Sequence, residues 1–234
     1  CVTVAGRRAG VDRLGPVLLI GFPAAAFATN CFVLAPAKGE ECLVVDPGVG
    51  VEETVREICA EFSLRPAAVV LTHGHLDHVY AVTPVCGGGG VAAYIHGDDR
   101  YRLRNPLESL DPGMGWMLEQ EFGGKATWAE PDDVREFRDG ETLTVAGLDL
   151  GVIHAPGHTE GSAMFTLADV PDEVRGQVGS TVISGDVLFA GSIGRTDLPG
   201  GDEQAMTRSL RDLVLPMPDD RLVLPGHGPV TTIG

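Results

Sequence analysis

Three of the chain's seven histidines fall in one short segment, Thr72-His73-Gly74-His75-Leu76-Asp77-His78, directly after an apolar run. In extended backbone, residues two apart point the same way, so His73 and His75 can grip one ion from one side. Asp77 and His78 follow as the chain turns and can reach a neighbouring ion. Imidazole and carboxylate ligands without thiolate suit zinc, iron or manganese, and such a set leaves coordination positions open for catalysis. Three further segments repeat the form of an apolar run that ends in a loop carrying one ligand beside glycine. They are Pro156-Gly157-His158-Thr159, Ser184-Gly185-Asp186 and Pro225-Gly226-His227-Gly228. Glycine lets the backbone turn tightly and approach an ion closely. Each loop alone is a weak signal, because a lone Gly-His is more often a turn. Together with the first segment they make a strong joint one. His96 and His154 lack this setting and read as structural residues around the site.

Two ions a few ångström apart can share a hydroxide and lower the pKa of bound water towards ~7, so a nucleophile exists at neutral pH. One ion can also polarise the attacked carbonyl. No serine or cysteine nucleophile is then needed, and no Gly-x-Ser-x-Gly elbow is found.

Elements that could position these loops are visible as short apolar runs bounded by Gly, Pro, Asn or Asp. Val17 to Ile20, Cys31 to Leu34, Cys42 to Val45, Ala67 to Leu71 and Ala92 to His96 read as strands. So do Thr142 to Val145, Leu148 to Ile153, Ala163 to Leu167, Thr181 to Ser184 and Arg221 to Leu224. Val51, Val55, Ile58, Cys59 and Phe62 mark one face of a helix, and residues 202–215 form a second amphipathic helix. Residues 97–139 are the least regular part, with a short helix expected over Trp116 to Phe122. Asp46-Pro47-Gly48 reads as a turn after the third strand. The pattern is two β-rich halves with helices outside, spanning residues 16–234 after a loose extension over 1–15.

Composition narrows the rest. At 44% hydrophobic residues, a chain of 234 can bury a sizeable core. The formal charge of -16 disfavours nucleic acid and anionic membranes as partners. No run reaches the roughly 18 apolar residues of a membrane span, and no signal sequence is visible. The five cysteines are scattered without a CxxC pair, which fits reduced thiols in the cytoplasm. The expected partner is a small molecule, and the expected assembly a monomer or small homo-oligomer.

The pattern His73-x-His75-x-Asp77-His78, followed by Pro-Gly-His158-Thr, Ser-Gly-Asp186 and Pro-Gly-His227-Gly, resembles the metal motifs of the metallo-β-lactamase superfamily from about Phe22 onward. That resemblance implies an α/β fold, the αβ/βα four-layer sandwich with two mixed sheets and helices outside. It implies a first divalent ion on His73, His75 and His158, and a second on Asp77, His78 and His227. Asp186 would bridge them, and Asp77 would also orient the attacking hydroxide. Zinc is the expected metal, with iron and manganese as alternatives.

The runs Gly185-Asp186-Val187-Leu188-Phe189 and Gly194-Arg195-Thr196-Asp197-Leu198-Pro199-Gly200-Gly201 are similar to the glyoxalase II group. They are most similar to its short bacterial members that lack a C-terminal helical domain. The implied activity is hydrolysis of a hydroxyacyl-glutathione thioester. Larger members hold glutathione with a lysine and a tyrosine; here the corresponding loop offers Arg195 and Asp197. Arg195 is the candidate substrate contact, and Asp197 could pair with it instead. A mononuclear iron persulfide dioxygenase and a lactonase or lactamase are the alternatives within the same fold.

Overall fold

Short apolar runs ending in turn residues become the strands of two sheets. A computed structural model describes residues 16–87, 90–109, 116 and 127–234. The first sheet contains β1 (Pro16–Pro23), β2 (Asn30–Ala35), β3 (Glu41–Val45), β4 (Arg65–Val70), β5 (Ala92–His96) and β6 (Val134–Phe137) in that order, and β10 (Val170–Pro171) joins it beside β1. It is antiparallel from β1 to β3 and parallel from β3 to β6. The second sheet contains β7 (Thr142–Val145), β8 (Leu148–His154), β9 (Ala163–Leu167), β11 (Ser180–Gly185), β14 (Arg221–Pro225) and β15 (Thr231–Thr232). Its order is β15-β14-β11-β9-β8-β7, and β12 (Leu188–Phe189) and β13 (Ser192–Ile193) form a small hairpin.

Central strands are buried on both faces, which explains their unbroken apolar sequence. In β3, Leu43 and Val45 point between the sheets, where they join Leu150, Phe165 and Leu224 of the second sheet. Cys42 and Val44 point outward into a cluster with Val55 and Ile58 of α1 (Glu52–Phe62). The outer face of the second sheet, with Met164, Val182 and Val223, is covered by Met206, Val214 and Met217. The layers are therefore helix, sheet, sheet, helix, as the sequence resemblance implied. Cys31 and Cys42 are buried free thiols, and Cys59 is half-buried.

The expected helix over 202–215 divides in two. α4 (Glu203–Ser209) is capped by Asp202, whose side chain accepts from Ala205 N at 2.9 Å. Leu210–Val214 then widens to a π-helical turn, closed by Leu215 N to Leu210 O at 2.9 Å. The wider turn keeps Leu210, Leu213 and Val214 all on the sheet. Strand β6 was not expected, because only its last residue, Phe137, is fully buried and its pattern carries no clear period. The segments α2 (Leu76–Val79) and α3 (Val82–Cys86) are likewise too short to show one. The extension over 1–15 lies outside the described residues, as does the helix expected over Trp116 to Phe122, Trp116 excepted. No helix among the described residues is long and apolar enough to cross a membrane.

The inner layer includes Phe137 and Phe165, both fully buried, with ring centroids 5.3 Å apart edge to face. Phe165→Ala should cost about 3–5 kcal/mol by leaving a cavity that neither sheet can close. Urea unfolding with an unchanged m-value is the check. A cost of only about 1 kcal/mol would show that the layer relaxes around the gap.

Candidate metal centre

Four loops meet at one edge of the sandwich. They leave the C-terminal ends of β4, β8, β11 and β14, and each delivers side chains that the sequence marked as candidate ligands. His73 follows β4, and His75, in extended backbone, precedes the first turn of α2, which carries Asp77 and His78. His73 Nε2 lies 3.1 Å from His75 Nδ1, which lies 2.8 Å from His158 Nε2. A second grouping joins Asp77, His78 and His227, and a third joins His73, His78 and Asp186. Asp186 stands between the clusters: Oδ1 is 3.3 Å from His78 Nε2, and Oδ2 is 3.4 Å from His158 Nε2 and 3.6 Å from His227 Nε2. Asp77 Oδ2 is 3.2 Å from His227 Nε2. Gly226 allows this approach, since a Cβ there would overlap Asp186 Oδ1.

The electrostatics of the two clusters differ. Burial, with neighbouring imidazoles, holds His73 well below its usual pKa, and His75 is lowered to about 3 mainly by burial. These rings stay neutral, with lone pairs available to a cation. Around Asp186 the balance reverses. Burial works against a charged His78, but the carboxylates of Asp186, Asp77 and Asp46 outweigh it and push its pKa up. Burial likewise opposes ionisation of Asp77 and Asp186, yet His78 and its neighbours keep both below the usual carboxylate range. Two buried carboxylates thus demand positive charge. His78 Nε2 and Asp186 Oδ1 are buried without a hydrogen-bond partner, a costly state unless a cation satisfies them. The donor set fits a pair of divalent ions, and its clusters of nitrogen and oxygen suit zinc, iron or manganese.

A surrounding layer sets which ring nitrogen faces inward. His78 Nδ1 donates to Asp46 Oδ2 at 2.9 Å, and Asp46 also accepts from Thr72 N and Thr72 Oγ1 at 2.8 and 2.6 Å. Asp46 does this from a left-handed backbone conformation (φ 48°), a strained geometry for a non-glycine residue. His158 Nδ1 donates to the Arg195 carbonyl at 2.7 Å. A carbonyl only accepts, so the Nε2 lone pair faces the cluster. Thr29 Oγ1 donates to Asp77 Oδ2 at 2.7 Å. Asn30 Nδ2 reaches the carbonyls of Pro225 and Gly228, both at 2.9 Å, and so fixes the His227 loop. Sequence reading missed these residues. Asp46 showed only as turn chemistry, and Thr29 and Asn30 carried no spacing signal.

The side chain of Arg195 pairs with Asp197, both bonds at 2.7 Å, on an exposed loop. His96 and His154 stand apart from the clusters and stack at 4.0 Å and 13°. His96 Nδ1 and His154 Nε2 each lie 3.8 Å from Asp98 Oδ2 on the surface, and His154 Nε2 is 2.7 Å from the Glu160 carbonyl, so the pair joins β5 to β8.

Metal-free protein should gain melting temperature in proportion to the logarithm of added zinc or iron(II), because ions bind the folded clusters and not the unfolded chain. Calorimetry after dialysis against chelator is the check. A melting temperature indifferent to every divalent ion would remove the metal reading.

Comparison with known proteins agrees with this geometry. The family model described as the metallo-beta-lactamase superfamily matches residues 24–227. An uncharacterized protein of Mycobacterium tuberculosis is 40% identical over 93% of this chain and 94% of its own. The hydroxyacylglutathione hydrolase GloC of Haemophilus influenzae is 34% identical over 91% of both chains. The crystal structure of BLEG-1 B3 metallo-beta-lactamase is 32% identical, covers 93% of this chain and 95% of its own, and superposes with a TM-score of 0.72. From its motifs, its sandwich and this coverage, the chain belongs to the metallo-β-lactamase superfamily.

Proposed function

We propose that this chain is a metal-dependent thioester hydrolase of the glyoxalase II kind, acting on a hydroxyacyl ester of a low-molecular-weight thiol. In this reading His73, His75 and His158 would hold one ion and Asp77, His78 and His227 the other, with Asp186 placed between the two sets. The observation that carries the thioester reading is the 34% identity with a hydroxyacylglutathione hydrolase over nine-tenths of both chains. The buried clusters support the metal dependence.

Divalent ions bound there would acidify a bound water and polarise the thioester carbonyl. The chain's own residues do the rest. Asp186 lies between the clusters, with Oδ1 beside His78 and Oδ2 beside both His158 and His227. Asp46 and the Arg195 carbonyl each accept from the outward Nδ1 of His78 and His158, which turns the Nε2 of each ring towards the clusters. Asp77, steadied by Thr29, can accept a hydrogen bond from the attacking water and aim it. Zinc is the resident metal in this reading, with iron and manganese as the other outcomes of elemental analysis.

The assay is direct. S-lactoylglutathione should be hydrolysed, with near two ions per chain and little turnover of a chromogenic cephalosporin. The likeness to BLEG-1 sustains lactam cleavage as a second reading, and efficient cephalosporin turnover would establish it. Oxygen uptake with a glutathione persulfide, and no thioester cleavage, would replace hydrolysis by dioxygenase chemistry.

Arg195 is proposed as the clamp for the carboxylate of the thiol portion, exchanging Asp197 for substrate in the same two-bond geometry. The exchange takes place in an exposed setting, so the net gain is modest. Arg195→Ala should raise KM about tenfold, roughly 1.4 kcal/mol, and leave kcat nearly unchanged. An equal effect on thioesters with and without a carboxylate in the thiol portion would show that Arg195 shapes the loop and does not read substrate.

A further inference from the structure

Arg102 belongs to no ligand cluster, yet its side chain is only 3% exposed beside one. Nε donates to Asp99 Oδ1 at 3.3 Å, and Nη2 donates to Glu160 Oε2 at 2.6 Å and to the Pro199 carbonyl at 2.8 Å. The fit is close: a Cβ on Gly200 would overlap both Nη2 and Glu160 Oε2. Asp99 is wholly buried and bonds to three more donors. Oδ2 accepts from Gly74 N and Thr159 Oγ1, both at 2.7 Å, and Oδ1 accepts from Gly161 N at 2.8 Å.

Gly74, Thr159, Glu160 and Gly161 each lie within three residues of a first-cluster histidine. Gly74 separates His73 from His75, and Thr159 follows His158. Pro199 lies in the loop whose Arg195 carbonyl accepts a hydrogen bond from His158 Nδ1. His158 is therefore set from two sides. Asp99 fixes the backbone after it, the 194–201 loop fixes its ring, and Arg102 is the side chain common to both. Thr29 and Asn30 support the second cluster, and Asp46 supports both: it holds His78 directly and reaches His73 through Thr72, whose Oγ1 is 3.1 Å from His73 Nδ1.

We propose that Arg102 is the positioning residue for the first cluster, fixing the spacing of His73 and His75 and the orientation of His158. This rests on the reading that those three histidines share one ion. Arg102 touches neither ion nor substrate. Its planar fork reaches a carboxylate, a second carboxylate and a carbonyl at once, which a lysine ammonium on one stem cannot do. Its loss leaves Asp99 with three donors and lets the half-exposed Glu160 return to water, so the sandwich itself should persist.

The test is stepwise zinc binding to metal-free protein in competition with a chromophoric chelator, which needs no substrate. Wild type should show two affinities, and His158→Ala should abolish one of them. If His158→Ala spares both, the ligand reading itself has failed. Arg102→Gln should weaken the site that His158→Ala abolishes by about 10- to 100-fold and change the other by much less. Arg102→Lys should fall between, and it decides the matter if Arg102→Gln does not fold. Equal weakening of both sites, or two unchanged affinities with only a lower melting temperature, would overturn the proposal.

Discussion

Two carboxylates, Asp77 and Asp186, are buried side by side among imidazoles, and the surrounding structure is organised by the need to balance them. Carboxylates removed from water are costly unless positive charge and hydrogen bonds meet them. His78 and His227 supply part of that charge by holding protons more tightly than free histidines do, despite their burial. Divalent ions would supply it more fully. The affinity of the site for cations is thus a property of its burial as much as of its ligands.

That burial needs both sheets. The first cluster takes two histidines from the end of β4 in one sheet and a third from the loop after β8 in the other. The inner layer of Leu43, Val45, Phe165 and Leu224 holds the sheets face to face, so it also sets the spacing across the ligands. The link from core packing to chemistry is direct. A shift of one sheet against the other would separate His75 from His158 before it exposed much apolar surface. The crossover of β10 onto β1 ties the chain of the second half back to the first sheet and resists such a shift.

The clustered histidines and aspartates and the layers were legible in the sequence because both leave local signatures. Strands buried on two faces give unbroken apolar runs, as in Cys42 to Val45, and a ligand at a strand end beside glycine stands out against them. What could not be read has no local signature. β6 is a half-exposed edge strand, and β10, β12, β13 and β15 span two residues each. The residues that orient the ligands were invisible for a different reason. Asp46 reaches Thr72 across 26 positions, and Asp99 reaches Gly74 across 25 and Gly161 across 62, so only the folded chain brings donor and acceptor together. The π-helical turn after α4 was hidden because its apolar face looks helical in either winding.

Arg195 serves the site in two separable ways. Its side chain lies on the exposed loop with Asp197, while its carbonyl secures His158. Every amino acid has that carbonyl, so the contact that orients the ligand is indifferent to which residue occupies the position. The side chain at 195 can be exchanged without disturbing the tautomer of His158. A chain built this way can drift from one leaving group to another through substitutions in a single loop while its metal chemistry stays intact. Substrate diversity would then arise from the backbone bearing the constant function and the side chain bearing the variable one.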